Sequence, residues 1–209
     1  MLLLSELRDR PNYTMAEVSR YLKVPRSTIR YWVVGSDPLI RVHGTGCRLS
    51  FNNLVEAHVL RALRTEKGLM LDAVRSAIRY AEEDRGLTDL LRRQDLRTDG
   101  RDVFLDRYAQ LLNLSQSGQY AMRELLKDHL SWVEYDVDHL PLKLFPARNS
   151  MIEIDPAISC GFPTVSGTGI STRALVRRMD EGDTPEVLAE DYGLKEQQIR
   201  AAIRYEKAA

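Results

Sequence analysis

Residues 14–33 read TMAEVSRYLKVPRSTIRYWV, and the fold of the first third of the chain turns on this stretch. Thr14 with Glu17 three places on predicts a capping box. Hydroxyl and carboxylate would each take a backbone N–H that the start of a helix leaves without a partner. Val18, Tyr21 and Leu22 then recur at helical spacing. Lys23-Val24-Pro25 stops this helix, and Pro25 suits the first turn of the next, where its missing N–H costs nothing. In that second helix Ile29, Trp32 and Val33 share the face that packs on Val18 and Leu22, leaving Arg26, Ser27, Arg30 and Tyr31 on or near the opposite face. Two short helices with a tight turn between them, the second basic outward, can set side chains against base edges in a major groove. An ordinary helical hairpin with solvated arginines is the rival reading of the stretch taken alone.

Outward from it, residues 39–42, 43–46 and 47–51 predict strand, glycine-containing turn and strand, with Arg41, His43 and Arg48 at or beside the tip. A basic hairpin directly after a helix-turn-helix is a wing, able to reach phosphate or the minor groove. Helices follow over residues 50–63 and 70–80. This order, with the strings LSFNNLVEAHVLRALR and AVRSAIRY, resembles the MerR-like regulators over residues 10–82. The resemblance implies a winged helix-turn-helix domain, residues 1–86. It would contact DNA through Thr14, Arg26, Ser27, Thr28, Arg30, Tyr31, Arg41, His43 and Arg48. The chain departs from the metal- and drug-sensing members in showing neither a long coiled-coil helix nor a terminal cysteine cluster, and Cys47 reads as a small hydrophobe.

At the other end, residues 185–204 read PEVLAEDYGLKEQQIRAAIR, a second helix-turn-helix pattern. Thr184 and Pro185 supply N-cap and first turn, and Gly193 the left-handed residue of the turn. A displacement of 170 positions lays Thr14 on Thr184, Val18 on Leu188, Val24 on Leu194 and Ile29-Arg30 on Ile199-Arg200. Lys195, Gln197, Gln198 and Arg200 offer a second contact surface, for DNA or for protein. The preceding string GFPTVSGTGIST, residues 161–172, lacks the Lys-Ser/Thr ending of a phosphate loop and reads as turns leading into a helix over 172–181. Residues 151–206 together are similar to a small uncharacterised domain common in VapB-like antitoxins, which are encoded beside PIN-like toxins. Head and tail together resemble the larger VapB-type antitoxins. That resemblance implies a type II antitoxin that silences a PIN-like ribonuclease toxin and represses the shared operon at its own double-stranded DNA operator.

Between them, residues 87–150 predict a small antiparallel sheet with a helix against it, serving connection or oligomerisation. Strands are expected near 103–105, 111–114, 132–137 and 140–145, and a helix over 119–130. Asp128, Asp136, Asp138 and His139 read as solvated groups rather than metal ligands. The tail, residues 151–209, completes a mainly α fold with small β elements, its own part a three-helix, helix-turn-helix-like domain.

The 209 residues are 44% hydrophobic and 29% charged, an ordinary globular mixture with no apolar run long enough for a membrane span. The opening residues do not make a signal peptide, which predicts a cytoplasmic protein. Cys47 and Cys160 support neither a disulfide framework nor a zinc site. Net charge is zero, but residues 1–67 hold eleven Lys and Arg against six Asp and Glu, a surplus of +5, while 68–150 carry −2 and 151–209 carry −3. The positive charge sits where phosphate must be met. The four histidines form no nucleophile–base pattern, so no enzyme, metal or cofactor is predicted. A homodimer is expected, since one winged unit reads few base pairs. Two other functions fit: a MerR-like regulator whose middle region senses an unknown ligand, and an interaction scaffold that does not bind DNA.

Overall fold

The computed structural model describes residues 4–42, 48–65, 71–85, 91–92, 107, 124, 127–147 and 151–207. In chain order these form α1 (Leu4–Asp9), β1 (Tyr13–Thr14), α2 (Met15–Leu22), α3 (Arg26–Val33), β2 (Arg48–Leu49), α4 (Phe51–Thr65), α5 (Leu71–Arg85), β3 (Val133–Tyr135), β4 (Pro141–Leu144), β5 (Ile152–Glu153), β6 (Thr164–Val165), α6 (Thr172–Asp180), α7 (Pro185–Tyr192) and α8 (Glu196–Lys207). The fold is mainly helical, with antiparallel two-stranded sheets.

The helix-turn-helix forms as its residues dictate. The Thr14 hydroxyl accepts the Glu17 N–H at 3.2 Å while the Glu17 carboxylate accepts the Thr14 N–H at 2.9 Å. Helix α2 ends at Lys23, which takes the left-handed conformation with φ 54°. Pro25 stands one place earlier than its sequence suggests. It is the N-cap of α3, and its carbonyl accepts from Thr28 at 2.9 Å and Ile29 at 3.2 Å. Val18, Tyr21 and Leu22 of α2 and Ile29 and Trp32 of α3 are fully buried with Leu49, Leu54 and Leu60. Burying one such aliphatic or aromatic side chain contributes roughly 1.5–3 kcal/mol. The hydrophobic face therefore dominates the local energetics, and α3 is held by its buried side.

The wing differs from the expected hairpin. Residues 39–42 are bends and irregular chain, not a strand; Ile40 is pulled into the core and its N–H donates to the Trp32 carbonyl at 3.0 Å. The second expected strand persists as β2, but its partner is β1, in the antiparallel register Tyr13↔Leu49 and Thr14↔Arg48. Burial of Leu49 and Tyr13 on the same side selects this pairing, because it places both side chains in the core. Residues 43–47, with His43 and Cys47, lie outside the described residues.

In the middle region, the strands expected at 103–105 and 111–114 and most of the helix expected at 119–130 also lie outside them; residues 127–130 are helical. The later pair of strands forms as β3 and β4, antiparallel, with a register shift between Glu134 and Tyr135. This hairpin shares the head's core, which takes in Leu130, Val133, Leu144 and Ile154. In the tail, Ile152, Val165, Leu175, Leu188, Ile199 and Ala202 make a second core beneath α6, α7 and α8. Two buried carboxylates stiffen its base. Lys143 Nζ lies 3.6 Å from Glu153 and 3.9 Å from Asp155, and Glu153 also accepts the Gly167 N–H at 3.0 Å. Paired in this way, neither charge is stranded, and one amide of the glycine-rich string is already taken.

Candidate nucleic-acid interface

Helix α3 presents Arg26, Ser27, Arg30 and Tyr31 to solvent, as their spacing predicts, with Thr28 half-buried beside them. Among the described residues the Arg26 and Arg30 guanidiniums stand exposed with no ion-pair partner. An unpaired Arg is the side chain suited to phosphate oxygens or to the paired acceptors of guanine. The other expected contacts are engaged within the protein. Thr14 is committed to capping. Arg41 pairs with Glu82 of α5 at 3.2 Å, and Arg48 donates to the Asn12 carbonyl at 2.8 Å. Both remain exposed, and His43 lies outside the described residues.

Sequence reasoning missed the brace on α3. Ala73, Val74, Ala77 and Ala81 of α5 are buried, which turns Arg75 and Arg79, four residues apart, toward the chain leaving α3. Arg75 donates to the Asp37 carbonyl at 3.0 Å, to Asp72 at 3.0 Å and to the Tyr31 hydroxyl at 3.3 Å, with its guanidinium carbon 5.1 Å from the Tyr31 ring centroid. The hydrogen bond to Tyr31, together with that to Asp72, holds the Arg75 pKa above its ordinary value. Arg79 pairs with Asp37 at 2.7 Å. The period of AVRSAIRY gives the polar face of α5; what that face meets is a long-range contact.

The C-terminal unit repeats the helix-turn-helix backbone at the displacement of 170. Thr184 caps α7 as Thr14 caps α2, and Gly193 turns left-handed at φ 64° as Lys23 does. The Leu194 N–H meets the Ala189 carbonyl at 2.9 Å, as that of Val24 meets Ser19 at 3.0 Å. Its surface differs from that of α3. Arg200 is pinned by Glu196 and, at 3.1 Å, by Glu186. Gln198 spends its side-chain oxygen on the Lys195 N–H at 3.0 Å, and Ala201, where α3 has Tyr31, is buried. Lys195 and Gln197 remain exposed.

Tail and head are joined along β1 and α2. The Tyr13 hydroxyl donates to the Gly161 carbonyl at 2.8 Å, Asn12 donates to the Cys160 carbonyl, and Arg173 lies 3.7 Å from Glu17. Elsewhere Asp136 pairs with Arg8 and caps its own hairpin turn, accepting from the Asp138 and Leu140 N–H groups. No helix among the described residues is long and apolar enough to cross a membrane.

Comparison with known proteins agrees with both halves. Residues 13–81 match the family described as MerR HTH family regulatory protein, and residues 152–205 match a family described as a protein of unknown function, DUF433. A Mycobacterium tuberculosis protein named "Putative antitoxin VapB45" is 31% identical, covering 95% of each chain. An uncharacterized protein of the same organism, Rv2308, is 27% identical over 97% of this chain and 93% of its own. The crystal structure of Rv2018 from M. tuberculosis superposes with a TM-score of 0.75 at 29% identity, covering 93% of this chain and 98% of that one. The chain belongs to the family of VapB45-like antitoxins, in which a MerR-type helix-turn-helix head is joined to a DUF433 tail.

Proposed function

We propose that this protein is a DNA-binding antitoxin that reads its own operator through α3, represses the operon, and neutralises a PIN-like ribonuclease by direct binding. The observation that carries the DNA half is the outward face of α3, where Arg26 and Arg30 stand exposed beside Ser27 and Tyr31. Free cations on a braced helix suit a major groove, and the +5 surplus of residues 1–67 lies around them. Residues 1–86 are the DNA-binding part, and 87–150 connect or pair the subunits. Residues 151–209 hold the toxin. The −5 balance of residues 68–209 complements the basic surface expected of a protein that cleaves RNA. The protein works in the cytoplasm as a homodimer, two heads on half-sites about 34–36 Å apart or a multiple of that.

The DNA half is tested by gel retardation of the chain's own promoter fragment. Replacing both Arg26 and Arg30 by alanine should weaken binding by about 1–3 kcal/mol per arginine that contacts a base, and flatten the salt dependence. A double variant that retards the fragment at wild-type concentrations defeats it. The toxin half is tested by co-expressing the adjacent toxin-like gene with the full-length chain. Growth rescue and co-purification are the expected result, and a folded antitoxin that gives neither refutes it.

A further inference from the structure

Among the described residues four large apolar side chains stand well exposed, and two of them, Tyr31 at 49% and Val34 at 47%, are neighbours on the reading helix and its C-cap. With Ser27 and Arg30 they occupy positions i, i+3, i+4 and i+7 of a single stripe. They lie side by side on the one helix face that also shows Arg26 and Arg30 without an ion pair among the described residues. Among the described residues the cations beside them without an ion pair are Arg26 and Arg30 on α3, while Arg75 and Arg79 are paired with Asp72 and Asp37. The partner this suits offers negative charge on both sides of small apolar points. Duplex DNA is such a surface, with phosphates lining the major groove and thymine 5-methyl groups on its floor.

The Tyr31 ring is also held in place. The Arg75 guanidinium lies against it at 5.1 Å and donates to its hydroxyl at 3.3 Å, and is itself fixed by the Asp37 carbonyl and Asp72. A planar cation stacked on one side of an exposed ring orients the ring and leaves its other side for a partner.

We infer that Tyr31 and Val34 read thymine methyl groups in the operator, and that Arg75 is a positioning residue for Tyr31. This rests on the DNA-binding reading above. The probe is a duplex that the full-length protein enriches from a random pool, resynthesised with deoxyuridine in place of each thymine in turn. One or two substitutions should weaken wild-type binding about fourfold each, the effect of one buried methyl group written as a binding ratio. Val34→Ala and Tyr31→Ala, both at exposed sites, should each lose the thymine–uracil difference at one position and keep it at the other. Arg75→Ala should shrink the discrimination with the salt slope unchanged, and Arg75→Lys, having no plane to stack, should not restore it. A slope reduced by about one would instead make Arg75 a phosphate ligand and overturn its positioning role. Equal wild-type affinity for both duplexes overturns the methyl reading and leaves DNA binding intact, whereas retention of no duplex at all overturns both.

Discussion

Lys23 and Tyr205, 182 positions apart, hold each other across the joint between head and tail. The Lys23 ammonium donates to the Tyr205 carbonyl at 2.7 Å and lies 4.8 Å from the centroid of its ring, while the Tyr205 hydroxyl donates to the Tyr21 carbonyl at 3.3 Å. Burial lowers the Lys23 pKa, opposed by the nearby Glu206 carboxylate. The contacts of the joint named here fall on Asn12, β1, α2 and the turn after it rather than on the exposed face of α3. In this arrangement the tail buttresses the helix-turn-helix and leaves its outward surface free.

Lys23 is also a non-glycine residue at φ 54°, so two opposed effects meet at one position. Lys23→Ala should lose the tail contact and destabilise by about 1 kcal/mol, a charged hydrogen bond discounted for partial exposure. Lys23→Gly loses the same contact but relieves the left-handed backbone by a similar amount, and should come out close to wild type. Urea midpoints give the order. Alanine as stable as glycine would mean that the backbone is unstrained here, and alanine as stable as wild type that the contact to Tyr205 contributes nothing.

Gly161 marks the tightest approach in the joint. A Cβ there would stand 2.5 Å from the Tyr13 hydroxyl oxygen, on a residue at φ +76°. Tyr13 is buried and hydrogen-bonded, so it cannot swing away. Gly161→Ala should cost upwards of about 2 kcal/mol, combining backbone strain with overpacking. Gly167→Ala is the control: its φ of +74° is nearly the same, but nothing lies within 4 Å of the added carbon. Thermal melts of the two variants should differ clearly, and equal losses would leave the close approach without energetic weight.

The repeat at a displacement of 170 shows what was legible in the chain and what was not. Capping residues, turn residues and the apolar period are local signals, so both helix-turn-helix units and the outward set Arg26, Ser27, Arg30 and Tyr31 could be read directly. The pairing of β1 with β2, the Arg75 brace and the Lys23–Tyr205 joint join residues 34 or more positions apart, where no period exists to announce them. The wing misled for a related reason. Residues 39–42 precede a glycine-containing turn as a strand would, but Ile40 satisfies its core position by folding back on Trp32 instead of pairing.

The two units should not be equivalent on DNA. At the start of α8, Glu196 stands where α3 has Arg26, and with Glu186 it occupies Arg200. Carboxylates at that place repel phosphate. Gln197→Ala and Lys195→Ala are therefore expected to leave operator affinity within about twofold, with the salt slope unchanged. A fall comparable to that of Arg26→Ala, measured on the same fragment, would make the tail a second DNA reader.

The last expectation concerns acid. His58 of α4 is fully buried, with Nε2 3.0 Å from the His129 carbonyl oxygen and its ring 5.6 Å from that of Trp132. A carbonyl can only accept, so Nε2 carries the proton, and the buried Nδ1 has no hydrogen-bond partner among the described residues. Burial drives the pKa down to about 3, the His129 backbone bond opposing and the His129 and Arg61 charges adding to it. The unfolded chain takes up this proton near pH 6.5, whereas the folded chain resists until far lower. Stability is therefore constant on this account above pH 6.5 and falls as the pH drops toward 3, by up to about 1.4 kcal/mol per unit. Carboxylates titrate in the lower part of that window, so pH 6.5 to 5 is left to the histidines, of which His58 should account for a loss of about 2 kcal/mol. His58→Gln, which keeps an N–H for the His129 carbonyl, should start less stable but show a flat profile over those pH values. Urea titrations at three pH values compare the two, and a variant that keeps the wild-type slope would move the acid sensitivity to another group.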